Sequence, residues 1–275
     1  MKIRTGTMAG AIAAAFTLAL VPMANAATLR ITVNSLAPEN GTFLTPAWFG
    51  FHDGNFDLYD RGQSVTPGLE RLAEDGDVSV LSEEFDAAGN GSVQGAVAGT
   101  AGIPGPIDPG ESASFTVDLD ASAASSRYFS YASMVIPSND FFVANGNPLA
   151  HRIFDDAGNF IGADFVVSGA QVLDAGTEVN DELPENTAFF GQQAPDTGVT
   201  EGGVVELADG FMPGGNILSS ADFANADFTA DGYDIARFQV ELVDDEAAAV
   251  PEPGVVLGLL AMGGLLLGRR HYQRA

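Results

Sequence analysis

The segment from Tyr128 to Pro137 constrains the fold more than any other part of the sequence. Its two alternating faces are both largely apolar: Phe129, Tyr131 and Val135 on one, and Tyr128, Ala132, Met134 and Ile136 on the other. A strand with this pattern must be covered on both sides. A polar turn with Asn139 and Asp140 follows Pro137, of the kind that a rigid scaffold presents as a functional loop.

Net charge limits the partners of this chain. Residues 27–250 hold six Arg, no Lys and 36 of the 37 acidic residues, for a formal charge of −30. Binding to nucleic acid needs clustered Lys and Arg, so the charge argues against it, and anionic lipid surfaces are disfavoured too. The acids are read either as a solvated face that keeps an exported protein soluble or, in part, as ligands of divalent cations. The chain has no cysteine, which excludes disulfides and thiolate sites.

The N-terminal residues 1–26 predict a signal peptide for Sec export. Lys2 and Arg4 precede an apolar run, and small residues lead to a cleavage site after Ala26. A membrane anchor is the alternative interpretation.

The C-terminal residues resemble the PEP-CTERM sorting signal. An apolar run of 15 residues, shorter than the roughly 20 of a spanning helix, lies between a Pro-Glu-Pro motif and an arginine cluster. The candidate sorting residues are Pro251, Glu252, Pro253, Arg269 and Arg270. The resemblance implies a Gram-negative bacterium that makes extracellular polysaccharide. It also implies an exosortase-type processing enzyme that removes the tail, the protein's one attachment to the inner membrane, before delivery to the cell surface. A plain C-terminal anchor is the alternative.

Between these ends the sequence predicts an all-β domain. The other predicted strands are Thr28–Asn34, Leu44–His52, Ser114–Asp120, Leu149–Phe154, Phe160–Val167, Gln171–Leu173 and Asp234–Val243. One short helix is predicted after the Thr66 cap, and Ala87–Gly110 is predicted as a loop. The fold class is therefore a single antiparallel β-sandwich of about eight strands, with long acidic loops and its first and last strands near each other. Hydrophobic targeting helices flank this domain, which spans residues 28–245 and is followed by a linker and sorting tail over 246–275.

The acidic run after His52 partly resembles the calcium-binding loop of an EF-hand. Asp53, Asn55 and Asp57 have the first, third and fifth spacing of that calcium loop. The sixth position is Leu58 instead of glycine and the twelfth is Ser64 instead of glutamate, so an EF-hand is rejected. The run either organises turns or helps to bind a ligand.

Three separated strings resemble the bacterial form of the spondin domain. They are WFGFHDGNFDLYDRGQSVTPGLERLAEDG, SYASMVIPSNDFFVANG and VLDAGTEVND. The resemblance implies an eight-stranded antiparallel β-sandwich with an extracellular adhesion or matrix role and no catalytic chemistry.

The same resemblance implies a calcium ion at one end of the sandwich. Carried over to this chain, its ligands are Asp118 or Asp120 on the preceding strand, and Asn145 and Asn147 after the turn, close to Asp140. This sequence offers Asn where an acid is expected, and fewer charges weaken a calcium site. In the alternative, Asp140 caps its own turn through a side-chain hydrogen bond.

Catalytic motifs are missing from the sequence. His52 and His151 are the two histidines before the tail, neither lies in a known motif, and His52 is predicted to be structural. A non-catalytic adhesion or binding protein of the cell surface or matrix is the first hypothesis, with extracellular polysaccharide or surface proteins as partners. A structural component of the exopolysaccharide or biofilm matrix is the second. A carbohydrate-acting hydrolase, which needs two carboxyl groups converging in a cleft, is the third.

Overall fold

The computed structural model describes residues 25–102 and 105–243. The predicted targeting helices, the signal peptide up to residue 24, and the sorting residues Pro251, Glu252, Pro253, Arg269 and Arg270 lie outside this range. The strands are β1 Ala26–Ser35, β2 Phe43–Leu44, β3 Ala47–His52, β4 Gly91–Val97, β5 Ser112–Asp120, β6 Tyr128–Ile136, β7 Phe141–Ala144, β8 His151–Arg152, β9 Ala163–Ser168, β10 Leu173–Asp174, β11 Glu206–Leu207 and β12 Asp234–Leu242. The helices are α1 Pro67–Asp75, α2 Ser79–Ala88 and α3 Asn216–Ser219, and three short 3-10 turns occupy Ala124–Ser126, Gly169–Gln171 and Ala221–Phe223.

The strands form two antiparallel sheets. The first has the order β5-β1-β12-β9, and the second has the order β11-β10-β7-β6-β3-β4, with β2 and β8 also paired to β6. Their inner faces share one core, in which Leu29 and Phe238 of the first sheet join Phe49 and Phe129 of the second. This mostly β, antiparallel arrangement is consistent with the predicted β-sandwich.

The first and last strands are neighbours, as the sequence predicted. Leu29 of β1 pairs with Leu242 of β12, and the two strands stay in register to Ser35 and Ala236. The alternation of β1 explains its place, because Leu29, Ile31 and Val33 are fully buried while the intervening residues are polar.

Strand β6 is covered on both faces, which confirms the prediction from its pattern. Phe129, Tyr131 and Val135 lie in the core between the sheets. Ala132 belongs to a second apolar cluster on the opposite face. Here Trp48 of β3 contacts Phe85 of α2, with ring centroids 5.4 Å apart.

Helix α1 forms where the sequence predicted it. The Leu69 amide donates to the Thr66 hydroxyl at 3.3 Å, Pro67 is the first helical residue, and Gly76 ends the helix with φ of 69°. Its apolar face of Leu69, Leu72 and Ala73 is fully buried against the second sheet.

The sequence predicted fewer helices and strands than the described residues contain. α2 and α3 are additional helices, and β4 lies inside the segment predicted as a loop. Glycines hide the β4 pattern, because they leave room for aromatic rings. A Cβ on Gly95 would lie 2.8 Å from the Phe49 ring, and one on Gly91 would overlap Phe85.

Candidate metal centre

The turn after β6 is buried instead of being presented to solvent. Ser138, Asn139 and Asp140 are at most 2% exposed. The Ser138 hydroxyl donates to the Val135 carbonyl at 2.6 Å, and the Asn139 amide donates to the Asn186 carbonyl at 3.3 Å. The later segment around residues 174–188 therefore covers the turn.

Asp140 holds that covering segment in place. Its Oδ2 accepts the Thr177 amide at 2.8 Å, the Thr177 hydroxyl at 3.2 Å and the Glu178 amide at 3.1 Å. Its Oδ1 is buried and has no hydrogen-bond partner in the described part of the chain. Burial raises the pKa of Asp140, and the bonds from Thr177 and Glu178 oppose that rise.

Asp140 belongs to a group of carboxylates that we call the acidic cluster. Four stretches of chain supply it: the end of α1, the turn after β6, the VLDAGTEVND segment, and the loop after residue 190. Its members are Glu74, Asp75, Asp140, Asp174, Glu178, Asp196 and Glu201.

Three of these side chains converge most closely. One oxygen each from Glu74, Glu178 and Asp196 lies within 4.8 Å of the other two. Glu74 is 4% exposed and Glu178 is 2% exposed. The Glu178 Oε1 accepts the Gly198 amide at 2.9 Å, whereas its buried Oε2 has no partner among the described residues.

Burial and mutual repulsion raise the pKa values of these groups. Burial, then the charge of Glu74, raises the pKa of Glu178 to about 8. Burial raises the pKa of Glu74 to about 7, and burial with the Asp140 charge raises that of Asp174 to about 7. Among the described residues, one salt bridge involves a member of this cluster, and it joins Asp75 to Arg71 at 2.7 Å. The cluster therefore holds more negative charge than its surroundings compensate, and either protons or a cation relieve it.

The cluster fits a hard divalent cation such as calcium. All of its donors are oxygens, the ligand type that calcium prefers. Oxygens on opposite sides of a calcium ion lie about 4.6–5.2 Å apart, given calcium–oxygen distances of about 2.3–2.6 Å. One oxygen each from Glu74, Glu178 and Asp196 is close enough to the other two to contact a single ion of that size. The unpartnered Oδ1 of Asp140 is a further donor in the same region.

The structure places Asp118 and Asp120 on the outer face of the first sheet. Asp118 accepts the Thr28 hydroxyl at 2.6 Å. Asp120 accepts the Ser122 hydroxyl at 2.6 Å, and this bond lowers the pKa of Asp120. They point away from the core, because the alternate residues of β5 fill it.

Asn145 and Asn147 lie at the other end of β7 from Asp140. The Asn145 Oδ1 accepts the Tyr131 amide at 2.9 Å, and its Nδ2 donates to the Asn147 carbonyl at 3.2 Å. The Asn147 Oδ1 accepts the Leu149 amide at 3.0 Å. Five extended residues span about 16 Å, so the structure does not bring these asparagines and Asp140 to one point. Asp140 is the one member of the predicted set that lies in the acidic cluster.

Asp140 was predicted as a site residue, whereas the other members of the acidic cluster were not. The VLDAGTEVND string, which carries the family resemblance, contains three acids, Asp174, Glu178 and Asp181, and the first two lie in the cluster. Glu74 directly follows Ala73 on the buried face of α1, which is a signal that could have marked it. Asp196 lies in an acidic, glycine-rich stretch without any periodic pattern.

Both histidines are structural in their contacts. His52 is fully buried, its Nδ1 accepts the Gly54 amide at 3.0 Å, and its Nε2 contacts the Ser130 hydroxyl at 2.8 Å. His151 stacks on Phe165 with ring centroids 3.8 Å apart. Burial lowers the pKa of each to about 4.

The acidic run after His52 forms a turn. Asp53 accepts the Asn55 amide at 3.0 Å, as in an Asx turn. This contact agrees with the turn-organising interpretation of that run.

The fold and the acidic cluster define a mostly β protein with a buried carboxylate site. Residues 40–147 match the Spondin_N family model, a range that includes α1 and the turn at Asp140 and ends before Asp174. This match supports a spondin-domain protein, and Spondin_N is a non-enzymatic, extracellular domain type with binding or adhesion roles in general. A comparison with curated proteins found no match. In the described residues, no helix has the length and apolar character needed to cross a membrane.

Proposed function

We propose that this chain is an exported, non-catalytic binding protein that acts in adhesion at the cell surface or in the extracellular matrix. The observation that carries this proposal is the Spondin_N match over residues 40–147. The formal charge of −30 over residues 27–250 agrees with a role outside the cytoplasm and away from nucleic acid.

Calcium dependence is part of the proposal, with the ion at the acidic cluster. Glu74, Glu178 and Asp196 would hold it, and the free oxygen of Asp140 would support them. Bound calcium would supply the positive charge that the cluster lacks. It would also tie α1 to the segment that covers the turn. This placement keeps Asp140 from the family-implied set, whose other members make hydrogen bonds elsewhere.

Export and sorting follow from the two ends of the sequence. We propose Sec export, cleavage after Ala26, a binding domain over residues 28–245, and removal of the tail at the Pro251-Glu252-Pro253 motif by an exosortase-type enzyme. The signal-like sequence before Ala26 and the Pro-Glu-Pro motif with its arginine cluster support this order.

The structural matrix role remains the second candidate, since the many exposed acids would cross-link through divalent cations. The hydrolase hypothesis has less support. Glu74 and Glu178 converge but are almost completely buried. The neighbouring cavity, lined by Glu70 and Thr177, has a volume of about 180 Å³. Ligand pockets usually have about 300–1,000 Å³.

Fractionation of the producing bacterium tests the proposal. The chain and a variant that lacks residues 251–275 would be located in membrane, surface and medium fractions. Binding of the purified chain to isolated matrix would then be titrated with and without calcium. We expect the processed chain outside the inner membrane and saturable, calcium-dependent binding. An intact tail on the mature protein would contradict the sorting step, and non-saturable binding would favour the matrix role.

A further inference from the structure

The segment from Glu178 to Met212 combines two properties that rarely occur together on a protein surface. It contains eight acidic residues, six of them outside the buried interior, and no Lys, Arg or His. It also holds six of the twelve large hydrophobic side chains that are exposed in the described residues. Half of these exposed side chains are thus concentrated in 35 residues. Such a concentration indicates an interaction site.

Five of these side chains lie on loop segments that hydrogen bonds tie together, and we call them the apolar loop surface. Its members are Val179, Leu183, Phe189, Val199 and Met212, each at least 39% exposed. The Val179 amide donates to the Val199 carbonyl at 2.8 Å. The Thr197 hydroxyl donates to the Glu185 carbonyl at 3.1 Å, and the Met212 amide donates to Glu182 at 2.6 Å. These hydrogen bonds hold the loop segments that carry the five side chains next to each other.

Phe189 is the most exposed member and is held in a costly conformation. It is 56% exposed, and its φ of 59° lies in the left-handed region. A bulky side chain in that region is a backbone outlier. Its neighbour Phe190 packs on Phe223, with ring centroids 6.1 Å apart, so burial of Phe190 does not require an aromatic residue at position 189.

The base under Phe189 is rigid. Ala188 forms a β-bridge with Ser138 of the buried turn, and Asn139 donates to the Asn186 carbonyl at 3.3 Å. Asn186, Thr187 and Ala188 are at most 9% exposed. An exposed aromatic ring on a fixed base loses little entropy on binding, which is characteristic of interface anchors.

We propose that the apolar loop surface binds a protein partner through an apolar socket rimmed by Lys and Arg, with Phe189 as the anchor that enters the socket. This inference rests on the proposed binding function and names its surface and partner class. The apolar side chains require an apolar counterpart, and the surrounding acids require a cationic rim. An anionic lipid surface would be repelled by the same acids.

Binding to the isolated extracellular matrix of the producing bacterium tests the proposal. The full chain would be compared with Phe189→Ala, Phe189→Gly and the control Ile161→Ala, which truncates a side chain that is 55% exposed beside β9. Each would be titrated on intact matrix, protease-digested matrix, periodate-oxidised matrix and phosphatidylglycerol vesicles. We expect Phe189→Ala to weaken binding at least about tenfold, as loss of an interface anchor does, and Ile161→Ala to leave it unchanged. Protease digestion should abolish binding, and periodate should not.

Thermal unfolding separates this role from a structural one. Phe189→Gly relieves the left-handed conformation, so it should raise the melting temperature while it weakens binding. Unchanged binding by both Phe189 variants would overturn the inference and leave the proposed function intact. Binding that survives protease digestion, or Phe189-dependent binding to vesicles, would overturn the protein partner. If the unaltered chain bound no fraction, the proposed function would fail together with the inference.

Discussion

The Oδ2 atom of Asp140 accepts the backbone amide of Thr177 at 2.8 Å, across 37 residues of sequence. This bond joins the buried turn after β6 to the segment that covers it. The same carboxylate keeps its second oxygen buried and unpartnered in the described structure. Asp140 therefore supports the fold with one oxygen and is available to a cation with the other.

Replacing Asp140 with alanine should destabilise the protein strongly. The Thr177 and Glu178 amides would lose their acceptor, at a cost of about 1–3 kcal/mol for each buried group left unpaired. Asp156→Ala is the matched control, because that side chain is 77% exposed and its ion pairs lie at the surface. Urea unfolding of both variants at pH 7 would measure the difference. Equal midpoints would show that Asp140 does not hold the covering segment.

Calcium binding should depend on Glu178 and not on Asp118. Glu178→Gln removes one carboxylate from the closest trio, so we expect calcium affinity to fall at least about tenfold, the loss typical even for outer partners of a metal. Asp118→Asn changes an exposed carboxylate bonded to Thr28 and should leave the affinity unchanged. Calorimetric titration of the chain and both variants measures this. The opposite result would return the calcium ion to the set that includes Asp118.

An element of this fold could be predicted when its own residues carry the pattern that determines its structure. The burial of β6 on both faces follows from its own residues, and α1 follows from Thr66, Pro67 and Gly76. β4 was missed because Gly91 and Gly95 make room for Phe85 and Phe49, rings that come from other elements.

The acidic cluster shows the same limit at the level of the site. Glu74, Glu178 and Asp196 are separated by up to 122 residues in the chain and meet only through tertiary packing. No local spacing encodes that meeting. Residue patterns therefore identified Asp140 at the turn, while the contacts between α1 and the later loops determine which acids surround it.

The layer of helices over the second sheet should contribute strongly to stability. Leu72 is fully buried between α1 and that sheet, so Leu72→Ala should cost about 2–5 kcal/mol through lost burial and a cavity. Leu149→Ala truncates the same side chain where it is 54% exposed, and should change stability by about 0.5 kcal/mol or less. Denaturant unfolding compares them. Equal losses would indicate that the helices do not add a true second core.

Without divalent cations, stability should fall as the pH rises from about 6.5 to about 8.5. The pKa values of Glu74 and Asp174 are raised to about 7 and that of Glu178 to about 8. The folded state therefore keeps protons that the unfolded state has released, and this advantage is lost as the pH passes the folded values. His52 and His151 act oppositely. Their pKa values near 4 mean that the histidine contribution to stability rises with pH up to about 6.5. Above that pH the histidines are neutral in both states, and the carboxylates alone determine the pH dependence.

Urea midpoints measured across this range in a chelator would check the slope, with Glu178→Gln as the comparison. The variant has lost the group with the highest of these pKa values, so its midpoint should fall less between pH 7 and 8.5. Calcium should flatten the curve of the unaltered chain, because a bound cation compensates the carboxylates once their protons have left. A midpoint that stays constant in the chelator would mean that the cluster carries no excess charge, and it would remove the electrostatic reason for a cation there.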